Sequence, residues 1–257
     1  MKNVVQPVLP KGPTGMPEEL TEHTTRVRQL FDSLAATWPE GYAQEGRFAS
    51  RPTRFTTALA SCVAPQSDVL ELGCGTGEMA RAMAAIGFRV TACDISQQML
   101  RGALATKCAD AVQWIKLDPH WRNLPFLSGS FDAVFASSVL EYVEEPAIVL
   151  SECARVLCPN GVMLFTVPDP KHPIRRLERL AKVVARLPIV RVAGRWPSLE
   201  GYMTYLDVSK QRHPLGRWSA AAERAGLLPI HHLPDTESRS PLRLLGFRQS
   251  ADGEGNS

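Results

Sequence analysis

The chain has 257 residues, 44% of them hydrophobic, and a formal net charge of +3. This length suits one α/β domain with additions, and the apolar fraction is enough to bury a sizeable core. A net charge this small selects no partner, no apolar run approaches the ~20 residues that cross a bilayer, and the N-terminus lacks the apolar centre of a signal peptide. Six cysteines, at 62, 74, 93, 108, 153 and 158, lie mostly in apolar segments and form no C-x-x-C pair. Reduced structural thiols in a cytoplasmic protein are the expectation.

Residues 1–16 contain Pro7, Pro10, Pro13, Gly12 and Gly15 and read as a disordered leader. Pro17 to Trp38 reads as a helix, with Leu20, Val27, Leu30, Phe31 and Leu34 near helical spacing. "WPEGYAQEGRFASRPTRF" reads as a loop, and a second helix leads to Val63. Next comes "VLELGCGTG", Val69 to Gly77. Its β-type run (Val69, Leu70, Leu72) enters a loop with glycine at 73, 75 and 77, and a helical pattern (Met79, Ala80, Met83, Ala84) follows. Strand, glycine turn and helix start make a nucleotide-type cofactor site. Glycine takes φ > 0 and admits a ligand where a Cβ would stand, and the first helical N–H groups are free for an anion. The dinucleotide fingerprint G-x-G-x-x-G needs glycine where this chain has Glu78. A carboxylate there repels a pyrophosphate and tolerates a ligand of mixed charge. Glu71 adds a carboxylate suited to a cation.

The strand "RVTACD" ends in Asp94, 21 residues after Gly73. An acid at that point can accept both hydroxyls of a ribose. It can also cap the helix starting near Ser96, and the two roles are compatible. The strand "VQWIKLD" ends in Asp118, with Pro119 after it. "LPFLSGSFDAVFASSVLEYV" holds a buried strand, Ala133 to Ala136, then Ser137. In "ARVLCPNGVMLFTVPDP" a helix ends at a Pro-Asn-Gly turn and Gly161 to Val167 forms an apolar strand. "PLGRWSAAAERAGL" reads as a helix stopped by Gly226, "LLPIHHL" and "PLRLLGFRQ" as the last two strands, and the residues after Gln249 as a polar tail.

From Val69 to Gly77 the chain resembles, residue for residue, the first motif of the class I S-adenosylmethionine-dependent methyltransferases. "LPF…GSFD" followed by "SSVLEYV" resembles their small-molecule, type 11-like branch. The resemblance is specific over about 66–168 and holds in pattern over 215–249. It implies an α/β fold: a doubly wound, Rossmann-like, seven-stranded, mostly parallel sheet with an antiparallel edge hairpin. It implies N-terminal helices acting as a lid over 17–65, a methyltransferase domain over 66–249 with an insertion at 170–215, and a tail at 250–257. It implies S-adenosyl-L-methionine as cofactor, bound by Glu71, Gly73, Cys74, Gly75, Gly77, Asp94, Ile95, Asp118, Pro119 and Ser137. Asp94 would then hold the ribose and Asp118 the adenine amino group. Tyr42, Arg47 or Arg51 in the lid would bind the methionine carboxylate. The chain departs from the pattern in a wider spacing from Asp118 to Leu124, through His120, Trp121 and Arg122. It also has Asn160 where many relatives have glycine, which a turn tolerates because Asn visits αL.

Charge is uneven. Lys171, Arg175, Arg176, Arg179, Lys182, Arg186, Arg191 and Arg195 stand against one acid, Glu178, which leaves 21 cations and 25 acids elsewhere. Ile174, Leu177, Leu180, Ala181, Val184 and Leu187 fall near one helical face. Such a basic amphipathic helix at 171–195 contacts a membrane surface, presents arginines to a phosphate-bearing acceptor, or is a solvated helix packed on the domain. Nucleic acid is not expected, since there is no second basic region and no RNA-binding module.

Methyl transfer from a sulfonium is an in-line displacement with a neutral leaving group, so orientation in a dry pocket does most of the work. A base is needed only if the acceptor, small or lipid-linked, must lose a proton. Candidates near the strand ends are His120, Glu141, Tyr142, Asp169 and His172, with Tyr142, His172 and His120 the catalytic ones. Each has a plainer role: Glu141 and Tyr142 start and pack the next helix, Asp169 caps the insertion, and His172 belongs to the basic segment. His231 and His232, adjacent on a strand, would point to opposite faces, and no metal is expected. Two alternatives remain. An NAD(P)-dependent oxidoreductase shares the glycine turn and Asp94 but needs the third glycine. A non-catalytic cofactor-binding module would not need the motif intact.

Overall fold

A computed structural model describes residues 22–250 apart from 107, 176, 179, 181–196 and 238–239. The leader expected at 1–16, six of the eight cations of the basic segment and the tail residues 251–257 lie outside the described residues. The elements in chain order are α1 (Glu22–Leu34), α2 (Arg51–Ala60), β1 (Asp68–Leu72), α3 (Glu78–Ala85), β2 (Arg89–Asp94), α4 (Gln97–Leu104), β3 (Val112–Lys116) and β4 (Phe131–Ala136). They continue with α5 (Pro146–Val156), β5 (Leu157–Pro168), α6 (Pro197–Val208), α7 (Leu215–Arg224), β6 (Leu227–Pro229) and β7 (Leu242–Gln249).

Side chains on a strand alternate between faces, and here both faces are apolar. Val69, Ala133, Phe135, Val162 and Leu164 point into a layer closed by Phe55 and Leu59 of α2 and Met79 and Met83 of α3. Their neighbours Leu70, Leu72, Val134, Met163 and Phe165 point into the opposite layer with Leu150 and Cys153 of α5 and Trp218 of α7. Covered on both sides, the strands are continuously hydrophobic, as parallel strands in doubly wound folds are. The seven strands run β3-β2-β1-β4-β5-β7-β6. The first five are mutually parallel. β7 is antiparallel to both β5 and β6. The order reverses at β1/β4, which places a crevice beyond the carboxyl ends of these two strands.

Several boundaries differ from the sequence expectation for local reasons. β5 begins at Leu157 directly after α5, and the Pro-Asn-Gly run lies inside it as a bulge. Its register with β4 shifts between the pairs Phe131–Leu157 and Ala133–Val162. Asn160 takes φ +65° there. The strand expected to reach Asp118 stops at Lys116, and β6 stops at Pro229, so His231 and His232 lie in a loop, not on a strand. Ser96, not Asp94, caps α4: its side chain accepts from Met99 N. The loop after α1 contains a 3-10 turn, Trp38–Tyr42. α1 packs on α4 and α6, and Asp32 ties it to α4 by accepting from Ser96 Oγ at 2.6 Å.

Candidate active site

At the crevice lies a cavity of about 1290 Å³. The sheet supplies its floor and the N-terminal segment its roof. Of the residues the sequence assigned to the cofactor, Glu71, Gly73, Cys74, Gly75, Asp94, Ile95, Asp118, Pro119 and Ser137 all line it, and Gly77 does not. Gly77 stands at the start of α3 with φ +84°. A Cβ there would come within 2.2 Å of the Trp114 ring, so its reason for being glycine is packing. At Gly75, φ +55°, a Cβ would face Trp38 Nε1 at 3.0 Å, on the roof of the cavity.

The loop is held by Asp94. Its Oδ2 accepts from Gly75 N at 2.8 Å and its Oδ1 from Ser96 N at 2.7 Å. Burial pushes the Asp94 carboxyl up, against these two hydrogen bonds. A carboxylate offers about four acceptor positions, so these two hydrogen bonds leave Asp94, on the cavity wall, with acceptor capacity to spare. Glu71 is buried, and burial, then Glu78 and Asp94, push its carboxyl well above the ordinary range. Its Oε2 has no partner. Ser137 Oγ and Ser138 Oγ, also on the cavity wall, have none either. Glu78 differs from expectation. It receives Thr76 Oγ1 and, at 3.3 Å, Arg81 Nη2. Its charge is compensated in place, so its repulsion of a pyrophosphate is weaker than its position suggests, and charge preference rests on Glu71 and Asp94. Burial raises the Cys74 thiol well above its usual range.

The other candidates divide. Tyr142 and His120 line the cavity; Glu141, Asp169 and His172 do not. Glu141 is fully buried behind the wall. Asp169 Oδ1 accepts from Lys171 N at 2.8 Å, and His172 Nδ1 accepts from Ile174 N at 3.3 Å. Both acts shape the turn after β5. Asp118 Oδ1 accepts from His120 N at 2.7 Å, which fixes the wider loop toward Leu124. Among the described residues no His, Cys, Asp and Glu side chains group to hold a metal ion.

Sequence reasoning placed Tyr42, Arg47 and Arg51 over the cofactor, and all three line the cavity. Arg51 and Arg47 lie over the Phe48 ring at 4.0 and 4.6 Å. Burial raises the Tyr42 hydroxyl to about 12, against the pull of Arg51. Unforeseen are Trp38, which covers Gly75, and Phe31, Trp121, Tyr205 and Leu242, which with Val27, Val143 and Ile148 give the rest of the cavity an apolar, aromatic lining. Arg175 was read as a surface cation. It is buried, with Nη1 on Glu178 at 2.7 Å and Nη2 on Pro241 O at 2.7 Å, and Arg212 also pairs with Glu178.

Residues 70–165 match the family model of a methyltransferase domain. A ubiquinone biosynthesis O-methyltransferase of Xanthomonas campestris is 31% identical over 148 residues, 56% of this chain and 61% of that protein. The chain thus spans about three fifths of the length of that relative. A demethylmenaquinone methyltransferase of Clavibacter sepedonicus is 29% identical over 225 residues, covering 84% of this chain and 88% of the other. Magnesium protoporphyrin IX methyltransferase from Synechocystis, solved with bound SAH, shares the fold: TM-score 0.61 at 18% identity, covering 88% of this chain and 99% of that one.

Proposed function

We propose that this chain, whose residues 70–165 match the model of a methyltransferase domain, is a class I S-adenosylmethionine-dependent methyltransferase that transfers a methyl group from S-adenosylmethionine to a small, largely apolar acceptor held in the same cavity as the cofactor. One observation carries this reading. The glycine loop and the aromatic half open into a single cavity of about 1290 Å³, more than the ~300–1,000 Å³ of a pocket for one ligand. The residues present fit the cofactor. Glu71 Oε2 and Ser137 Oγ lack partners, Asp94 keeps acceptor capacity for ribose hydroxyls, and Gly75 offers backbone without a Cβ. When bound, S-adenosylmethionine supplies a methyl group on a cationic sulfur. Glu71 and Asp94 place two carboxyl groups for that cation and its ribose, Asp118 meets the adenine edge, and Arg47, Arg51 and Tyr42 hold the carboxylate from the lid at 17–65. The body of the enzyme is 66–249, with 170–215 inserted.

The names of the relatives support an acceptor of the quinone kind, a ring with apolar substituents. Calorimetric titration with S-adenosylmethionine and with NAD separates the cofactors: micromolar or tighter S-adenosylmethionine binding is expected. Heat from NAD alone would replace this reading with the oxidoreductase. Turnover to S-adenosylhomocysteine with aqueous and lipid extract fractions, kept apart, then finds the acceptor. A protein that binds the cofactor and turns over with no fraction is a binding module.

A lipid-linked acceptor is favoured by Leu177 and Leu180, which are 66% and 60% exposed beside the basic run. No described helix is long and apolar enough to cross a membrane, so contact would be at the surface. Replacing Lys182, Arg186 and Arg191 by Glu should weaken binding to anionic vesicles by roughly 1 kcal/mol per lost cation, and parent binding should fall with salt. A parent that ignores anionic vesicles ends this reading.

A further inference from the structure

The loop between β4 and α5 carries Glu141 and Tyr142, and its backbone is held from three sides. Tyr142 N donates to Val139 O at 2.9 Å, Gln211 N donates to Glu141 O at 3.1 Å, and His23 Nε2 of α1 meets Tyr142 O at 2.8 Å. The Tyr142 ring forms part of the cavity wall, edge-on to Phe31 at 5.1 Å and to Tyr205 at 6.1 Å. Directly behind it the Glu141 side chain is fully buried, and neither carboxylate oxygen receives a hydrogen bond of ordinary geometry. Burying a carboxyl without partners is costly, and each such group in a fold needs a reason.

The surroundings are not those of a structural ion pair. The Tyr142 hydroxyl, then Arg51 from α2, Arg212 from the segment after α6 and Arg175 from the turn after β5, favour the Glu141 charge, but burial outweighs them and its carboxyl is raised. Arg175 and Arg212 direct their guanidinium groups to Glu178. The Tyr142 hydroxyl lies between Glu141 and Tyr205, and burial keeps it protonated well above its usual range. A tyrosine that stays protonated cannot be a standing base. It can pass a proton on if an empty acceptor lies behind it, and Glu141 is one.

We infer that Tyr142 and Glu141 form a proton outlet for a hydroxyl on the methyl acceptor, an inference that rests on the methyl-transfer reading above. As the acceptor oxygen bonds to the methyl carbon, the carbon–sulfur bond breaks and its electron pair stays on sulfur. The acceptor's hydroxyl proton passes to Tyr142 Oη, and the Tyr142 proton passes to the Glu141 carboxylate. No oxidant or further reactant is needed. Tyr142 is the catalytic residue, and Glu141 a positioning residue that acts through it. An outlet for one proton selects a hydroxyl acceptor over an amine that is already neutral, which needs no base before attack.

The test needs no knowledge of the natural acceptor. The full chain, loaded with S-adenosylhomocysteine, is titrated from acid to base with 4-nitrocatechol, a phenol whose ionisation is read by visible absorbance. Bound probe should ionise at lower pH in the parent than in Glu141→Gln or Tyr142→Phe, with an ionisation constant roughly 10²-fold larger, the scale of general-base assistance. Both variants should keep S-adenosylhomocysteine affinity. Glu141→Gln should melt no earlier than the parent, because a structural carboxylate would be missed and an unpartnered one is not. Superimposable ionisation curves in all three proteins overturn the inference, as does a cofactor-loaded parent that does not bind the phenol. A parent that does not bind S-adenosylhomocysteine overturns the methyl-transfer reading itself, and the outlet with it.

Discussion

The two halves of the cavity are built differently. The half proposed for the cofactor is framed by backbone: the turn Gly73–Gly75 at the end of β1 and the end of β2 at Asp94, cross-linked by the Gly75 N to Asp94 bond. The half proposed for the acceptor comes from side chains of α1, the loop after it, the loop before α5, the turn after β5, α6 and the residues before β7. A turn is specified by its own residues, because positive φ and close approach exclude most alternatives. A wall assembled from six segments is specified only once the fold has closed. The first kind of construction fixes a cofactor common to many enzymes, and the second leaves room for the acceptor to differ.

The acceptor wall should therefore fail when a remote tie is cut. Arg175 links the turn after β5 to the loop before β7 through Glu178, Pro241 O and, at 3.4 Å, Asp169 O. Arg175→Glu sets two buried carboxylates together and should lower stability by about 3–5 kcal/mol, as breaking a buried pair does. Arg89→Ala, at the exposed pair with Asp68, should leave the urea midpoint close to the parent's. Equal midpoints for Arg175→Glu and parent would show that the buried triad does not hold this wall.

Within the cofactor half, fold and binding should come apart at two neighbouring glycines. Gly77→Ala meets the Trp114 ring in a left-handed conformation and should cost about 3 kcal/mol of stability, strain and overpacking together. Gly75→Ala meets no backbone, only the Trp38 ring edge at 3.0 and 3.5 Å and Met99 Sδ at 3.8 Å. It should cost about 1–2 kcal/mol while removing most S-adenosylmethionine binding. Denaturant melts and calorimetry on the same samples make the comparison. A Gly75→Ala protein with parental affinity would mean that the cofactor does not pass over this turn.

What the sequence revealed follows the same division. The alternation of strand and helix and nine residues that line the cavity were legible, because strand periodicity and glycine turns are local signals, and the antiparallel edge hairpin followed from the family resemblance. Trp38, Tyr205 and Leu242 were not, since no local pattern says that a loop tryptophan will cover Gly75 or that α6 will reach Tyr142. Arg175 was misread for a related reason. Its neighbours in sequence are cations, but its partner Glu178 and the Pro241 carbonyl become relevant only through helix formation and sheet closure. Asp94 was legible as an acid at the end of β2 on the cavity wall, and the capping role weighed for it belongs elsewhere. The hydroxyl of Ser96, two residues on, does that work.

This correction changes what an Asp94 variant should do. Alanine would orphan both Gly75 N and Ser96 N, so affinity and stability would fall together. Asp94→Asn keeps one carbonyl oxygen for a backbone amide and removes the charge and the second acceptor. Its S-adenosylmethionine affinity should drop by roughly 1.5–3 kcal/mol, the scale of a hydrogen bond to a charged group. Helix α4 keeps its Ser96 cap, so stability should change less than affinity. A larger loss of stability than of binding would assign Asp94 to the scaffold alone.

Glu71 gives the smallest effect and the one with opposite signs. Its carboxyl is raised in the folded protein by burial, Glu78 and Asp94, so the folded chain binds this proton more tightly than the unfolded chain. Stability from this group is therefore full below the ordinary carboxylate range and is lost as pH rises through the raised value. A cationic ligand reverses the balance, because it favours the ionised form. Without cofactor, Glu71→Gln should be as stable as the parent in acid and the more stable of the two as pH rises, because it has no buried proton to lose. Its cofactor affinity should fall and lose the parent's rise with pH. Melting curves across pH, with and without S-adenosylmethionine, read both signs at once. A Gln variant that is destabilised at neutral pH yet binds the cofactor normally would make Glu71 a structural acid that the cofactor's positive charge does not feel.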